Sequence, residues 1–223
     1  MRWSAAYIIL FALTMAASSF DLVMSLEPHW FSTIFGIYMF AGAFLSCLAL
    51  ITILVLLLRE RSDLKHWVSD VHITFLAKMM FAFCIFWAYI WFSQFMLIWY
   101  ANIPEETSYY IARWQNGYRP LFYANLALNW LLPFFLLMGY KAKRNMSLVF
   151  GTACLILLAH WLDLYLMVMP SQHPQGPLLF YPELGIFAGV AALFVAVVLK
   201  TFESYPVVPI NDPLLAESKQ LHE

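Results

Sequence analysis

The 24 residues at positions 146–169, MSLVFGTACLILLAHWLDLYLMVM, decide the fold class of this chain. His160 and Asp163 are the only basic or acidic residues in this apolar stretch. A helix needs about 20 apolar residues to cross a hydrocarbon core roughly 30 Å thick, because each residue rises about 1.5 Å. The stretch therefore predicts a membrane-spanning helix that carries two ionisable groups.

Five further apolar runs complete a set of six. Together they occupy positions 3–20, 31–58, 71–100, 121–140, 146–169 and 181–202. Of the 223 residues, 63% are hydrophobic and 11% are charged, whereas an average soluble domain is about 25% charged. The strands of a membrane barrel would alternate in polarity over about ten residues, and these runs do not. We predict an all-α, multi-pass membrane protein, with a bundle of six transmembrane helices in residues 1–202 and a polar cytoplasmic tail in residues 203–223.

Lysine and arginine residues are distributed unequally between the two ends of the predicted helices. Cytoplasmic helix ends carry an excess of these residues. With a cytoplasmic N-terminus, the inner side collects nine of them and the outer side collects two. The inner set is Arg2, Arg59, Arg61, Lys65, Lys141, Lys143, Arg144, Lys200 and Lys219, and the outer set is Arg113 and Arg119. We therefore predict that both termini are cytoplasmic.

The first run has a second interpretation. Arg2, an apolar core and the small residues AASS at positions 16–19 outline a cleaved signal peptide. The core is long for such a peptide, and cleavage would leave only five spans. We therefore expect the first helix to be retained.

Composition and cysteine spacing exclude several classes of protein. The formal net charge is −1, whereas a nucleic-acid-binding protein carries a basic patch or stripe. Cys47, Cys84 and Cys154 lie in apolar runs without the spacing of a disulfide framework, a c-type haem attachment or an iron–sulfur site. The sequence thus predicts no nucleic-acid partner, and no metal or cofactor bound by this chain.

Polar side chains inside the predicted helices are concentrated near the outer face. The rise per residue places His160 roughly 10 Å below that face, with Asp163 nearer to it and Asn125 and Asn129 at roughly 6–12 Å. Ionisable groups at such depths usually face a partner, a cavity or a pathway. The candidate proton-transfer residues are Asp21, Glu27, His29, His72, Lys78, His160, Asp163 and Glu183. The candidate polar lining residues are Gln94, Asn102, Asn125 and Asn129.

Two interpretations of these polar residues stay open. His160 and Asp163 share one helix face, and an acid beside an imidazole can hold and pass a proton. Alternatively, the polar side chains bond across helices as packing contacts, each worth about 1 kcal/mol or less. In the inner half, His72 and Lys78 form a proton entry route in the first interpretation. In the second, Lys78 extends to the lipid headgroups.

Aromatic residues cluster near the predicted outer boundary. Trp30, Tyr109, Tyr110 and Tyr118 are among those that predict an interfacial aromatic belt. Trp87 lies deeper, and we expect it to pack between helices. The connection 102–120 is amphipathic and is expected to lie on the membrane surface.

Two segments carry a family resemblance: FDLVMSLEPHWFST at positions 20–33 and LIWYANIPEET at positions 97–107. With the helices around them, they resemble the second half of the ActF-type subunits of alternative complex III. These subunits belong to the NrfD-like (PsrC-like) family of membrane subunits of quinol:electron-acceptor oxidoreductases. Residues at positions expected from the family are Asp21, Glu27, His29, Glu105 and Glu106.

The resemblance implies a location, partners and redox groups outside this chain. The six helices would correspond to helices five to ten of a ten-span fold, in a truncated, split or half-length member of the family. A sister NrfD-like subunit would bind menaquinol or ubiquinol, and extracytoplasmic iron–sulfur and multihaem cytochrome subunits would take the electrons. The assembly would lie among the lipids of the bacterial inner membrane.

Three functional hypotheses follow. The first is a membrane subunit of a quinol-oxidising respiratory complex that contributes proton transfer and assembly without redox chemistry of its own. The second is a purely structural anchor of that complex. The third is an independent ion or solute transporter, although the paired repeats and broken helices typical of secondary transporters are not evident in the sequence.

Overall fold

The computed structural model describes residues 2–61, 63–178, 181–205, 208 and 213–219, and every regular element among them is a helix. The α-helices are α1 Arg2–Ser18, α2 Phe35–Arg61, α3 Asp70–Ala101, α4 Pro104–Trp114, α5 Arg119–Leu126, α6 Leu132–Met138, α7 Tyr140–Arg144, α8 Met146–Gln172, α9 Tyr181–Ser204 and α10 Leu215–Lys219. Short π-helical segments follow α1 and separate α5 from α6.

Six helical segments among the described residues are long and apolar enough to cross a membrane. Their bounds are Trp3–Leu26, Phe35–Glu60, Asp70–Ala101, Arg119–Met138, Met146–Gln172 and Leu184–Ser204. The prediction of an all-α fold with six helices that are long and apolar enough to span a membrane is thereby confirmed within the described residues, whereas the cytoplasmic location of both termini stays a prediction.

The core of the molecule is a bundle of the four middle spans, formed by α2, α3, α5 with α6, and α8. Small side chains let these helices approach closely, as is common inside membranes. Ala41, Ala77 and Ala153, on three different helices, are each 0% exposed. By contrast, no residue in the most apolar part of Leu184–Ser204 is buried. The first and last spans therefore lie at the edge of the bundle.

The fourth span is interrupted near its middle, and Pro133 explains why. Proline has no backbone N–H, so it cannot bond to the carbonyl four residues earlier, which is that of Asn129. The segment Ala127–Leu131 winds as a π-helix just before Pro133. The Cys84 thiol lies 3.4 Å from the Asn129 carbonyl oxygen and donates to it. A side chain of α3 thus takes the place of the missing helix bond.

The bundle has two polar ends, which we call the Arg113 end and the Lys143 end. At the Arg113 end, α3 leads into α4, and Tyr118 Oη donates to the His173 carbonyl 3.0 Å away, where α8 finishes. At the Lys143 end, α2 leads into α3, and Arg59 Nη2 lies 2.5 Å from Asp70 Oδ1. The candidate site lies toward the Arg113 end.

Candidate functional site

A buried carboxylate is the centre of the polar cluster. Asp163 on α8 is 1% exposed and accepts hydrogen bonds from three other spans. Tyr38 Oη on α2 and Asn125 Nδ2 on α5 donate to Oδ1, the latter over 2.7 Å. Trp87 Nε1 on α3 lies 3.3 Å from Oδ2. Hydrogen bonds to a charged form stabilise that form, so these donors make a buried carboxylate tolerable at this depth.

A second amide fixes the orientation of the first. Asn129 lies one turn after Asn125, in the π-helical segment, and is 0% exposed. Its Nδ2 donates to Asn125 Oδ1 over 2.6 Å and to the Ala159 carbonyl over 2.9 Å. Because the Asn125 oxygen faces this donor, its own NH₂ group is directed toward Asp163. The network therefore presents donors only to the carboxylate.

His160 lies beside the carboxylate and over a glycine. Its Nδ1 is 3.6 Å from Asp163 Oδ2, a distance at which a protonated imidazole would form an ion pair. The ring occupies the space above Gly42 on α2, so that a Cβ at that position would lie 2.2 Å from His160 Cε1. The lack of a side chain at position 42 is therefore what admits the imidazole.

Replacing Gly42 with alanine is expected to displace the His160 ring and destabilise the fold. The added methyl would overlap the imidazole, and overpacking of this kind typically costs about 1–3 kcal/mol. The matched control is Gly151→Ala on α8, where no atom of the described residues lies within 4 Å of the new Cβ. Thermal unfolding in detergent is the measurement. Equal melting temperatures for the two variants would contradict the placement of His160.

A small cavity adjoins Asp163 on the side of the Arg113 end. Its volume is about 20 Å³, and Gln94, Tyr110 and Arg113 contribute to its walls together with Asp163. Burial raises the pKa of the Tyr110 hydroxyl well above its usual value, and the hydroxyl of Tyr109 adds to the effect, whereas Arg113 and Gln94 oppose it. The cavity thus joins an acid, two neutral polar groups and a cation.

Arg113 is a buried cation that closes this end of the cavity. The residue is 2% exposed, although its position in the chain suggests a helix flank. Its Nε donates to the Leu166 carbonyl over 2.8 Å, and that carbonyl has no helix partner because Pro170 lacks an N–H. Its Nη2 donates to the Met167 carbonyl over 3.0 Å and to Glu27 Oε1 over 2.9 Å. Arg113 therefore ties α4 to α8 and to the α1–α2 connection.

An aromatic stack packs against one face of the Arg113 guanidinium. Arg113 lies 3.2 Å from the centre of the Tyr109 ring, and Tyr109 stacks on Trp30 with ring centres 4.0 Å apart. Burial raises the pKa of Tyr109 to about 12, against the opposing effect of the Arg113 charge. Trp30, Tyr109 and Tyr118 are 3%, 6% and 1% exposed. The prediction that they form an interfacial belt is therefore wrong, because they pack inside the Arg113 end.

Alkaline pH is expected to destabilise the protein through Tyr109. The folded state keeps this phenol protonated up to about pH 12, whereas an unfolded tyrosine ionises near pH 10. Its contribution is therefore fully present below pH 10 and is lost as the pH rises from 10 to 12. We expect Tyr109→Phe to lose less stability over that range than the wild type, whereas Tyr100→Phe, at an exposed residue, follows the wild type. Melting temperatures of the three proteins at pH 10 and at pH 12 test this. An equal fall in melting temperature in all three would contradict it.

Six of the twelve candidate residues lie in or beside the cluster. They are His160, Asp163, Asn125, Asn129, Gln94 and Glu27. The first four form the network around the carboxylate, Gln94 lines the cavity, and Glu27 is bound to Arg113.

The other six candidates lie elsewhere. Asp21, His29 and Asn102 are exposed at the Arg113 end, the side chain of Glu183 lies outside the described residues, and His72 and Lys78 are at the Lys143 end. His72 serves as a helix-capping residue, since its Nδ1 accepts from the Ser69 backbone N–H at 3.1 Å. Burial lowers the pKa of Lys143, and the nearby charge of Lys78 adds to the effect.

Apolar packing separates the two ends of the bundle. Between the level of Lys78 and that of Asp163, the buried residues of α3 and α8 include Met80, Cys84 and Ile156. The buried Thr52 and Thr152 hydroxyls donate to carbonyls of their own helices. Within the described residues, therefore, no chain of polar side chains joins the Lys143 end to the carboxylate.

Sequence reasoning missed several members of the site. Tyr38, Trp87, Tyr109, Tyr110 and Arg113 all contact the cluster or the cavity. The only signal for Arg113 was the presence of an arginine among apolar residues near an acidic motif. Nothing in the local pattern distinguishes Tyr38 from aromatic residues that face lipid.

Among the described residues, no group of three or more His, Cys, Asp or Glu side chains could hold a metal ion. A scan against protein-family models found no family that matches this chain, and a search of curated proteins found no match to its sequence.

Proposed function

We propose that this chain is a membrane subunit of a quinol-oxidising respiratory complex similar to alternative complex III, and that Asp163 is its proton-transfer group. In this proposal the Arg113 end faces the outside of the bacterial cytoplasmic membrane. Redox chemistry takes place on a sister membrane subunit and on extracytoplasmic iron–sulfur and haem subunits. The chain itself transfers protons and supports assembly.

One observation carries the proposal of proton transfer: a buried carboxylate with hydrogen-bond donors from three helices opens onto a polar cavity that leads toward one end of the bundle. An ionisable group inside a membrane domain is costly and usually serves a pathway. The donors stabilise the ionised form of Asp163, and His160 is placed to balance its charge. The cavity supplies an exit that simple packing between helices does not require.

The convergence of the two sequence motifs at the Arg113 end supports the proposed family relationship. Glu27 and Trp30 belong to the first motif, and both contact α4, whose first residues belong to the second. The segments that resemble the family thus lie at the same end of the bundle. In this proposal the extracytoplasmic subunits bind at this end.

A specific observation favours the purely structural role as the second candidate. The apolar packing between Lys78 and Asp163 provides no polar route across the bundle within the described residues. A protein that only anchors and seals the complex would need no such route. Our proposal is compatible with this packing, because it needs exchange of protons with the Arg113 end alone.

The decisive experiment measures protons released per electron in the native assembly. The assembly is purified through a tag on this chain, placed in lipid vesicles and driven with quinol, and external acidification is followed with a pH dye. We expect Asp163→Asn to slow proton release through this site by about 100-fold or more while electron transfer continues. Asp21→Asn, at an exposed residue of the same end, is the matched control.

Three results would contradict the proposal in different ways. An unchanged ratio of protons to electrons in Asp163→Asn would leave the anchoring role. Recovery of the tagged chain without any redox subunit would reject the respiratory complex altogether. Ion flux through vesicles that contain only this chain would instead favour a transporter.

A further inference from the structure

Gln94 presents a buried acceptor beside the cavity. The residue is 3% exposed, and its Oε1 accepts no hydrogen bond from the described residues. Nearly all buried polar atoms in folded proteins are hydrogen-bonded to protein or to ordered water. We therefore expect the cavity to hold a hydrogen-bond donor for Gln94 Oε1.

We propose that the cavity binds one water molecule, held between Gln94 Oε1 and the Asp163 carboxylate, and that this water carries the proton from Asp163 toward the Arg113 end. The role of this water in proton transfer rests on the proposed function. The binding of the water does not depend on that function. Tyr38, Asn125 and Arg113 complete the polar wall around it.

Volume and charge select water over other small occupants. A site needs about 10–15 Å³ of probe-occupied volume and two to four polar partners to hold a water molecule, and this cavity has about 20 Å³. A quinol ring is far too large for it. A sodium ion would lie beside the Arg113 guanidinium, which repels cations, and an anion would lie beside Asp163. A neutral molecule that both donates and accepts fits the opposite charges on the two sides.

The proton step is balanced without any co-reactant. The O–H bond of protonated Asp163 breaks as the water oxygen gains the proton, and in the same step an O–H bond of the water breaks as its proton passes to the Glu27 carboxylate. The water is thereby restored, and no free hydronium ion forms beside the Arg113 guanidinium. Glu27 is the receiving base because its Oε1 lies 2.9 Å from Nη2 of Arg113, which lines the cavity. Glu27, whose side chain is 19% exposed, releases the proton to the solvent.

Infrared spectroscopy of the reconstituted wild-type protein tests the water directly. Exchange into H₂¹⁸O is expected to shift one O–H stretching band of a strongly hydrogen-bonded internal water. The band is expected to be absent in Gln94→Met, which keeps the side-chain length but removes the acceptor. It is expected to remain in Gln115→Leu, a control at an exposed glutamine of the same end. Proton release in Gln94→Met is expected to be about tenfold slower, the factor that corresponds to one hydrogen bond.

The possible outcomes separate this inference from the proposed function. The absence of an isotope-sensitive band in the wild type would overturn the water site, and this measurement requires no variant to fold. A band that changes when sodium replaces potassium would identify an ion in place of the water and would also overturn it. A normal water band together with unchanged proton release in Asp163→Asn would retain the water site and reject the proposed function.

Discussion

Replacing Arg113 with methionine is expected to destabilise the protein by about 3–5 kcal/mol, the range typical for removing one partner of a buried ion pair. The change leaves the Leu166 and Met167 carbonyls without their donor, and it leaves Glu27 without its cation. Water cannot easily replace these bonds, because Arg113 is 2% exposed. The Leu166 carbonyl cannot regain a helix hydrogen bond instead, because Pro170 has no backbone N–H to donate to it.

The loss of stability can be separated from a general effect of charge. Arg119→Met removes an exposed cation from the same end, and we expect it to change stability by less than about 1 kcal/mol. Arg113→Lys keeps the charge but cannot reproduce the planar set of donors, so it should recover only part of the loss. Reversible unfolding in mixed detergent micelles measures all three. If Arg113→Met and Arg119→Met were equally stable, the buried role of Arg113 would be rejected.

Replacing Asn125 with aspartate is expected to destabilise the protein about as much as Arg113→Met does. The loss of stability is expected to depend strongly on pH. The new carboxylate would face Asp163 at the position of a 2.7 Å hydrogen bond. Two carboxylates at so short a distance cannot both stay ionised without a large penalty. A proton shared between them relieves the repulsion. We therefore expect the loss of stability to be greater at pH 8 than at pH 5.

A second substitution should repair much of this damage. In Asp163→Asn combined with Asn125→Asp, the carboxylate moves to α5, where the Asn129 amide already donates to this side chain. The new amide at position 163 can donate to it across the interface. We expect a favourable coupling of about 1–3 kcal/mol between the two changes in a double-mutant cycle, with Asn145→Asp as an exposed control. Additive effects would mean that the two side chains do not share a hydrogen bond.

The length and pattern of the apolar runs were sufficient to predict the helices. Each run is near or above the length that a bilayer requires, so six spans follow from counting alone. The same arithmetic predicted that His160, Asp163, Asn125 and Asn129 lie at similar depths, because rise per residue depends only on helix geometry. Depth and helix face together were enough to group Asn125, Asn129 and Asp163 as candidates for one polar cluster.

Pairing between distant segments could not be predicted in this way. Arg113 is buried because it bonds to Leu166, 53 residues later in the chain, and to Glu27, 86 residues earlier. Counting cations near helix ends assigns every arginine to the flank, and it cannot detect that Pro170 has freed a carbonyl deep in the fold. The involvement of Tyr38 likewise depends on which face of α2 meets α8, and this is set by the packing of small residues along both helices.

The claim that Asp163 exchanges a proton with the Arg113 end is tested most directly by infrared difference spectroscopy of the reconstituted protein between acidic and alkaline buffer. We predict a carboxyl C=O band that appears on acidification, is missing in Asp163→Asn and is retained in Asp21→Asn. Identical difference spectra for the wild type and Asp163→Asn would contradict it.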